Sequence, residues 1–334
     1  MSSPLVSVII PVYREGEILS ETIDSVLAQT FRDFEVIIVN NNADEVSLSV
    51  IKKYVQENPD LVRIVDQPIQ GAPSARNKGI LESKGKYIAM LEGDDLMYPH
   101  RLETQVNYFE KANGDISLLS SYYDRVDWEN KKILEIASFD KKFYMRSLKI
   151  EQLFWSHPSS WLFEKETALS VGMFNEAFNP RLIEDDEFNF KMFLAGNLVC
   201  LPERLIRVRM PSNSYQNIKD SQATSVHVLT KLDLFFMILR EKLNLNPQIK
   251  INHKGFHDIR AQWLREEGIG FMGYSNGKKF ARSLILEALK EKPLDYKNWK
   301  AYFRSYYKYK TIKNLTLSAE ELQTLERKKF FCLD

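Results

Sequence analysis

Three carboxylates that follow an apolar run are the first side chains whose types and spacing point to chemistry. Residues 87–91 have the composition of a buried strand, and Glu92, Asp94 and Asp95 come directly after it. Carboxylates this close repel one another and raise one another's pKa unless a cation offsets their charge. Mg²⁺ or Mn²⁺ prefers oxygen ligands and usually takes one or two carboxylates together with substrate phosphates. The cluster therefore predicts a divalent-cation site for a substrate that carries a diphosphate.

A structural role is the alternative for the same cluster. Asp94 or Asp95 would then cap a helix that begins near Pro99, which is a common position for aspartate. The four residues alone favour neither interpretation, so the surrounding elements decide between them.

The elements around the cluster alternate between strand and helix patterns. Residues 5–12 and 34–39 are β-branched runs typical of strands covered on both faces, with apolar residues at helical spacing between them. Parallel strands joined by crossover helices explain this order. In such sheets a ligand binds beyond the carboxyl ends of the strands. Three of those ends carry the segments Pro11–Tyr13, Asn40–Asn42 and Glu92–Asp95.

Composition excludes several classes of protein. The chain has 334 residues, 44% of them hydrophobic, and a formal net charge of +1, so no overall field selects a nucleic acid. Its two cysteines, Cys200 and Cys332, lie far apart without metal-ligand spacing, which predicts free thiols in a reducing compartment. No apolar stretch approaches the roughly 18 residues that a membrane span needs. We therefore expect a cytoplasmic protein that does not bind nucleic acid.

Five motifs, in this order and spacing, resemble the inverting family-two glycosyltransferases of the GT-A fold. The resemblance covers about residues 5–215 and implies an α/β fold with a Rossmann-like, mostly parallel sheet flanked by helices. It also implies transfer of a sugar from a nucleotide diphosphate donor, preferably a UDP-sugar, to a hydroxyl of a glycan or lipid-linked acceptor in bacterial surface polysaccharide or lipopolysaccharide synthesis. The motifs are VSVIIPVYREGEILSETIDSVLAQTF, FEVIIVNNNADE, GAPSARNKGI, GKYIAMLEGDDLMYPHRL and GMFNEAFNPRLIEDDEFNFKMFLAGN.

The resemblance divides the chain into a catalytic domain and an extension. We expect a GT-A domain over residues 1–225, with a nucleotide-binding half at about 1–115 and an acceptor half at about 116–225. Residues 226–334 read as a helical C-terminal extension with breaks at prolines. The pattern GIGFMG at 268–273 follows a helical segment rather than a strand, so we expect helix packing there and no dinucleotide site.

The metal site is the first group of residues that the resemblance implies. Asp94 matches the metal-binding aspartate of the family's DxD motif, and Asp95 stands beside it. Glu92 occupies the first acidic place, where the family usually has aspartate, and Gly93 separates it from Asp94. The implied ion is Mn²⁺ or Mg²⁺.

Contacts with the nucleotide come from three other motifs in this resemblance. Arg76 and Asn77 match an element that approaches the nucleotide and diphosphate, and arginine offers a fork of donors suited to phosphate. Arg209 is expected to meet phosphate as well, although Pro211 replaces the histidine that often follows in relatives. The first nucleotide-contacting turn and the acidic position after it are matched by Pro11, Val12, Tyr13 and Glu15.

At Asn41 the sequence departs from the family pattern, and this leaves the identity of the nucleobase open. The family typically has an aspartate at this position, where it accepts a hydrogen bond from the base. An amide can pair with uracil, but it can equally donate to cytosine N3 and accept from the cytosine amino group. A UDP-sugar remains the preferred donor.

The acidic run at 184–187 resembles the family's second acidic motif. The resemblance implies that this run contains the general base. Asp185 matches the carboxylate that deprotonates the acceptor hydroxyl, with Glu184 beside it. Because four acids are consecutive, Asp186 is the alternative base, and Asp185 would then cap the helix that follows. Trp161 either lines the acceptor pocket or packs in the core, and the second role is favoured.

Two other functions are alternatives for the same sequence. A sugar nucleotidyltransferase would carry a Gly-rich phosphate loop with a basic residue after the first strand, where this chain has PVYREGE. A nucleotide- or glycan-binding module that has lost turnover would keep the fold without activity.

A basic, aromatic segment in the extension predicts a further partner. Residues 278–313 contain eleven Lys or Arg residues, three acidic residues and many aromatic ones. Such a helical surface is typical of peripheral contact with an anionic membrane, here the inner face of the cell membrane. The alternative is a solvated basic face whose aromatic side chains pack on the α/β domain.

Overall fold

The computed structural model describes seven stretches of the chain and divides it into two compact units. The first unit comprises Met1–Lys141 with Gln152–Ser214, and the second comprises Lys142–Glu151 with Tyr215–Asp334. The predicted domain boundary near residue 225 stays a prediction. The described residues are 3–112, 115–139, 153–179, 183–210, 225–245, 253–272 and 277–306.

The first half of unit one is the alternating strand–helix arrangement that the periodicity predicts. Its strands form a parallel block in the order β3-β2-β1-β4. The elements are β1 (Val6–Val12), α1 (Ile18–Leu27), β2 (Phe34–Asn40), α2 (Glu45–Glu57), β3 (Val62–Asp66), α3 (Ala72–Glu82) and β4 (Tyr87–Met90).

The second half extends the same sheet with longer-range pairings. Beyond β4 the order continues β8-β6-β9-β5, and β7 pairs with β6. The pair β6–β9 is parallel, whereas the other pairs added here are antiparallel. The elements are β5 (Leu96–Met97), α4 (Arg101–Lys111), β6 (Ile116–Asp127), β7 (Ile133–Ala137), β8 (Leu162–Glu164), α5 (Lys165–Ser170), α6 (Glu184–Ala195) and β9 (Asn197–Met210).

One strand is shorter than its apolar pattern suggests. The sequence predicts a strand over 159–163, but Pro158–Ser160 forms a 3₁₀ turn and β8 begins only at Leu162. Proline has no backbone N–H for a strand ladder, and the His157 ring accepts the N–H of Ser159 instead. The turn sets the polar side chains of this segment beside the acidic cluster.

Both faces of the sheet are covered, as expected for β-branched parallel strands. Alternate residues of β1 pack against α1 and α2 on one face, while Ile9 packs with residues of α3 on the other. Trp161 is fully buried in this second core and stacks near Phe174 and Phe188. This position fits the favoured core role of the indole.

Unit two is helical in its described part. Gly268 packs closely on the next helix, since a Cβ at this position would lie 2.7 Å from Ile285 Cγ1. Gly268, the first glycine of GIGFMG, therefore serves helix packing, as predicted, whereas Gly273 lies outside the described residues. No described helix is long and apolar enough to cross a membrane. The helices are α7 (Ser225–Asn244), α8 (His253–Phe271), α9 (Lys278–Glu291) and α10 (Tyr296–Arg304).

Candidate active site

The carboxyl ends of β1, β2 and β4 lie at one edge of the sheet. The parallel register pairs Val12 with Asn40 and Ile9 with Met90, so the three strands end side by side. The backbone N–H of Asn41 donates to the Val12 carbonyl at 2.9 Å, which joins two of the turns directly. The segments that follow these strands therefore border one crevice, as the strand–helix pattern predicts.

Glu15 turns back toward the acidic cluster. Its carboxylate accepts a 2.7 Å hydrogen bond from the backbone N–H of Tyr13. Gly93 allows this close approach, because a Cβ at Gly93 would lie 2.9 Å from Glu15 Cγ and 3.1 Å from the Pro11 carbonyl oxygen. The turn after β1 and the loop after β4 thus pack against each other.

Burial and mutual repulsion shift the titration of two of these acids. Burial, with added repulsion from Asp94 and Glu92, raises the pKa of Glu15 to about 7. Burial and the charge of Glu92 raise the pKa of Asp94 to about 6. A nearby cation would stabilise the ionised form of both groups. The electrostatics of this edge therefore favour a cation.

The number of available side-chain ligands limits how a metal ion would bind. Among the residues that the structure describes, no group of three His, Cys, Asp or Glu side chains is arranged to hold a metal ion. A site built from one or two carboxylates and completed by substrate oxygens is the usual arrangement for Mg²⁺. Asp94 and Glu15 are both partly exposed and suit such an open site.

Arg76 links the two acidic motifs. The Arg76 guanidinium is buried and donates to Glu92 Oε1 at 2.8 and 3.2 Å and to Glu184 Oε1 at 3.2 Å. It also lies 5.2 Å from the centre of the Phe174 ring. Burial alone would lower the pKa of Arg76, but the charges of Glu92 and Glu184 outweigh it and raise that pKa, so Arg76 stays a cation. Arg76 positions both motifs, and its predicted contact with the nucleotide stays a prediction.

Asp95 differs from Asp94 in that protein groups occupy both of its oxygens. It is only 1% exposed, and it accepts the Ser159 hydroxyl at 2.5 Å and the backbone N–H of Arg209 at 3.0 Å. Burial and the charge of Asp94 raise its pKa well above the ordinary value. These contacts suit a carboxylate that positions β9 and the 3₁₀ turn. Its predicted role as a metal ligand stays a prediction.

The Arg209 side chain also faces protein groups. Its guanidinium donates to the carbonyl of Trp128 at 3.0 Å and the carbonyl of Asp94 at 2.7 Å, and it pairs with Glu21. The side chain has no exposed surface. Arg209 therefore supports the loop that carries Asp94, and the predicted phosphate contact would require it to exchange one of these partners.

Asn41 and Asn77 hold loops in place. The Asn41 amide donates to the carbonyls of Gln67 and Ile69 at 2.7 Å each, and its oxygen accepts the Gly71 N–H at 2.8 Å. Asn77 exchanges two 2.9 Å hydrogen bonds with the backbone of Phe174. Both side chains shape the approach to the crevice, while their predicted contacts with the nucleotide stay predictions.

Asp185 is the member of the second acidic motif with the most accessible carboxylate. Glu184, Asp186 and Glu187 are buried, whereas Asp185 is partly exposed at the start of α6. The indole N–H of Trp155 donates to Asp185 Oδ2 at 3.0 Å, and the backbone N–H of Asp186 donates to Oδ1 at 2.9 Å. A helix N-terminus also favours a negative charge. This geometry favours Asp185 over Asp186 as the base.

Glu184 is held differently from its neighbour. One oxygen accepts from Arg76, while the other is buried and has no hydrogen-bond partner among the described residues. Burial raises the pKa of Glu184, although the positive charge of Arg76 opposes that shift. Glu184 therefore anchors the start of α6 to Arg76 beside the candidate base.

Three residues of the site were missed by sequence reasoning: Trp155, His157 and Ser159. Burial lowers the pKa of His157 to about 4, so its ring is neutral near pH 7. His157 Nδ1 lies 3.6 Å from Asp95 Oδ2, and Ser159 bonds to both Asp95 and the backbone N–H of Glu92. The available signal was a polar run at 156–160 beside an apolar strand, which matches no motif.

Comparison with known proteins identifies the family of the chain. The family described as Glycosyl transferase family 2 matches residues 7–169. An uncharacterized glycosyltransferase of Methanocaldococcus jannaschii is 32% identical over 239 residues, which cover 69% of this chain and 79% of that protein. One from Rickettsia prowazekii is 28% identical over 278 residues, with 80% and 81% covered.

A solved structure shows the same fold. S. aureus TarS in complex with UDP-GlcNAc matches with a TM-score of 0.59 at 15% identity, over 91% of this chain and 93% of that chain. The GT-A fold expected from the motifs is thus confirmed, and the relatives set the nucleotidyltransferase alternative aside. Inversion at the transferred sugar is general for the family. The chain belongs to the family-two glycosyltransferases.

Proposed function

We propose that the chain is a metal-dependent inverting glycosyltransferase that moves a sugar from a UDP-sugar to a hydroxyl of a glycan or lipid-linked acceptor. The observation that carries this proposal is the position of Arg76. Its guanidinium binds Glu92 in the donor-side motif and Glu184 next to Asp185, so one buried cation ties the loop that carries Asp94 to the helix start that carries the candidate base. Transfer requires both groups at one crevice.

The donor side fits a nucleotide diphosphate and a divalent ion. Glu15 and Asp94 carry raised pKa values beside one another, and Glu92 is already paired with Arg76. Asp94, with Glu15 next to it, would hold Mn²⁺ or Mg²⁺. Such an ion, when bound, stabilises the charge that develops on the leaving diphosphate. TarS has been solved with UDP-GlcNAc and with UDP, which supports a UDP-sugar as the donor here.

The acceptor side supplies the base for a single displacement. Asp185 takes the proton from the acceptor hydroxyl while its carboxylate is held by Trp155 and by the backbone N–H of Asp186. The acceptor oxygen forms a bond to the anomeric carbon as the bond from that carbon to the diphosphate breaks. No covalent intermediate with the protein is needed.

The cellular setting is part of the same proposal. The motifs resemble enzymes of bacterial surface polysaccharide or lipopolysaccharide synthesis. A lipid-linked acceptor would place the chain at the inner face of the cell membrane.

Nucleotide release tests the proposal. Wild type is expected to release UDP from a UDP-sugar with Mn²⁺ and an acceptor, and EDTA should abolish this. Asp94→Asn should weaken nucleotide binding in the presence of Mn²⁺, whereas Asp185→Asn should bind normally and lose turnover by about 10²- to 10⁴-fold. Asp60→Asn, at an exposed position, is the matched control. Inactivity of wild type across a panel of donors and acceptors would instead favour a binding module.

A further inference from the structure

The last described helix, α10, has two faces of different character. Its inward face carries Asn298, Ala301 and Ser305, which are buried. Asn298 donates to the carbonyl of Ala288 at 2.9 Å and accepts from Arg265 at 2.9 Å. These contacts fix α10 on the preceding helices of unit two and determine which side chains point outward.

The outward face is aromatic and exposed. Tyr296, Trp299, Phe303 and Tyr306 are 69%, 43%, 58% and 57% exposed, and Leu294 in the turn before the helix is 97% exposed. Two of these exposed rings contact each other, since Trp299 stacks on Phe303 with ring centres 5.9 Å apart. Leaving so many large rings in water is unfavourable unless a partner covers them.

The charges on this helix identify the kind of partner. Lys297, Lys300 and Arg304 alternate with the aromatic residues, and the helix sequence YKNWKAYFR contains no acidic residue. A second copy of this face would bring like charges together. An anionic lipid surface complements the cations, and Trp and Tyr favour the boundary between headgroups and acyl chains.

We infer that α10 and the turn before it dock on an anionic bilayer, with Leu294 and the exposed rings in the headgroup region and the three cations facing lipid phosphates. Of the predicted membrane-contact segment 278–313, this assigns the contact to residues 294–306; residues 307–313 lie outside the described part of the chain. The inference extends the proposed function, because a lipid-linked acceptor would be presented at such a surface.

Vesicle flotation tests this inference without any sugar transfer. Wild type should float with phosphatidylglycerol–phosphatidylcholine vesicles and remain unbound with phosphatidylcholine alone. Lys297→Glu/Lys300→Glu should weaken binding about tenfold or more. The matched control Lys52→Glu/Lys111→Glu makes the same charge change at exposed helix positions of unit one and should bind like wild type.

A second pair of variants tests the aromatic side chains. Phe303→Ser should also lower vesicle binding, whereas Tyr108→Ser, at an exposed position on α4, should not. Far-UV circular dichroism and UDP release should match wild type in all four variants, which separates loss of docking from loss of fold or activity. Wild type that stays unbound, or controls that lose binding equally, would overturn the inference. A dimer in vesicle-free solution that Phe303→Ser dissociates would assign the face to a second copy instead.

Discussion

The hydrogen bond from Trp155 to Asp185 gives the clearest prediction at the scale of a single residue. Trp155→Phe keeps an aromatic side chain but removes one of the two hydrogen bonds that orient the Asp185 carboxylate. Hydrogen bonds to charged groups contribute roughly 1.5–3 kcal/mol, so kcat should fall about 10- to 100-fold while the KM for the donor stays unchanged. Steady-state kinetics of UDP release measure both. Trp299→Phe is the matched control.

A different kinetic pattern would contradict this role. If Trp155→Phe raised the KM for the acceptor and left kcat unchanged, the indole would bind substrate rather than orient the base. If Trp299→Phe lowered kcat as much, the effect would belong to tryptophan replacement in general.

The raised pKa of Glu15 predicts a pH-dependent change in stability. The pKa rises from an ordinary 4.5 to about 7 in the folded state, so the folded protein binds this proton more tightly than the unfolded chain. The resulting stability is complete below about pH 4.5 and is lost as the pH rises to about 7. Glu15→Gln lacks this loss, so its advantage in unfolding free energy over wild type should grow by on the order of 2 kcal/mol across that window.

Urea denaturation in EDTA, repeated at several pH values, measures this difference. Glu15→Gln and wild type should diverge between pH 4.5 and 7 and run parallel above it. If the unfolding free energy of the two proteins changed identically with pH throughout, the Glu15 carboxylate would be better solvated than its packing against Gly93 indicates.

Residue types at the site were easier to predict from sequence than the directions in which side chains point. The motifs identify Asp94, Asp185 and Arg76 as members of one crevice, and the structure brings them to it. Asp95 and Arg209 occupy matching motif positions, but their polar atoms turn toward the protein. Such direction depends on partners more than 60 residues away in sequence, as the separation of 64 between Asp95 and Ser159 illustrates.

At the scale of elements, local periodicity is more informative for the first half of the sheet than for the second. The strands β1 to β4 alternate with helices along the chain, and they pair in parallel only with one another, so periodicity alone is informative. The two-residue β5 is too short to show a period, and only the end of the predicted strand 159–163 forms β8. Both strands are held by pairing, β5 with β9 and β8 with β4. Their existence is a property of the assembled sheet.

The loop that enters α3 gives a prediction at this scale. Gly71 has a φ of 146°, and a Cβ there would lie 2.1 Å from the Asn179 side-chain oxygen. Gly71→Ala should therefore both strain the backbone and push Asn179 away, at a cost of about 2–4 kcal/mol in unfolding free energy. Gly16, with a φ of 63° and nothing within 4 Å of a Cβ, is the matched control.

Chemical denaturation of both alanine variants separates strain from collision. Gly16→Ala should cost only about 1–2 kcal/mol, since it adds strain alone. Equal losses for the two variants would mean that the Asn179 side chain moves aside freely and that α3 does not depend on this contact.

At the scale of the whole α/β unit, one buried cation ties the donor side of the crevice to the acceptor side. Arg76 on α3 meets Glu92 after β4 and Glu184 at the start of α6, and these elements come from both halves of unit one. Buried ion pairs contribute little net stability, but removing one partner leaves an uncompensated charge. The link therefore makes the geometry of the two motifs interdependent.

Arg76→Gln should accordingly lower the free energy of unfolding by about 3–5 kcal/mol, because two acids lose their cation. Adding Glu184→Gln should restore part of this loss, since it removes one of the unpaired charges. Arg125→Gln is the matched control: Arg125 pairs with exposed Glu135 at 2.9 Å, and such a pair contributes only about 0–1 kcal/mol. Urea denaturation of Arg76→Gln, Glu184→Gln, the double variant and Arg125→Gln measures these free energies. Strictly additive losses for Arg76→Gln and Glu184→Gln would show that the two motifs are held independently and that Arg76 does not couple them.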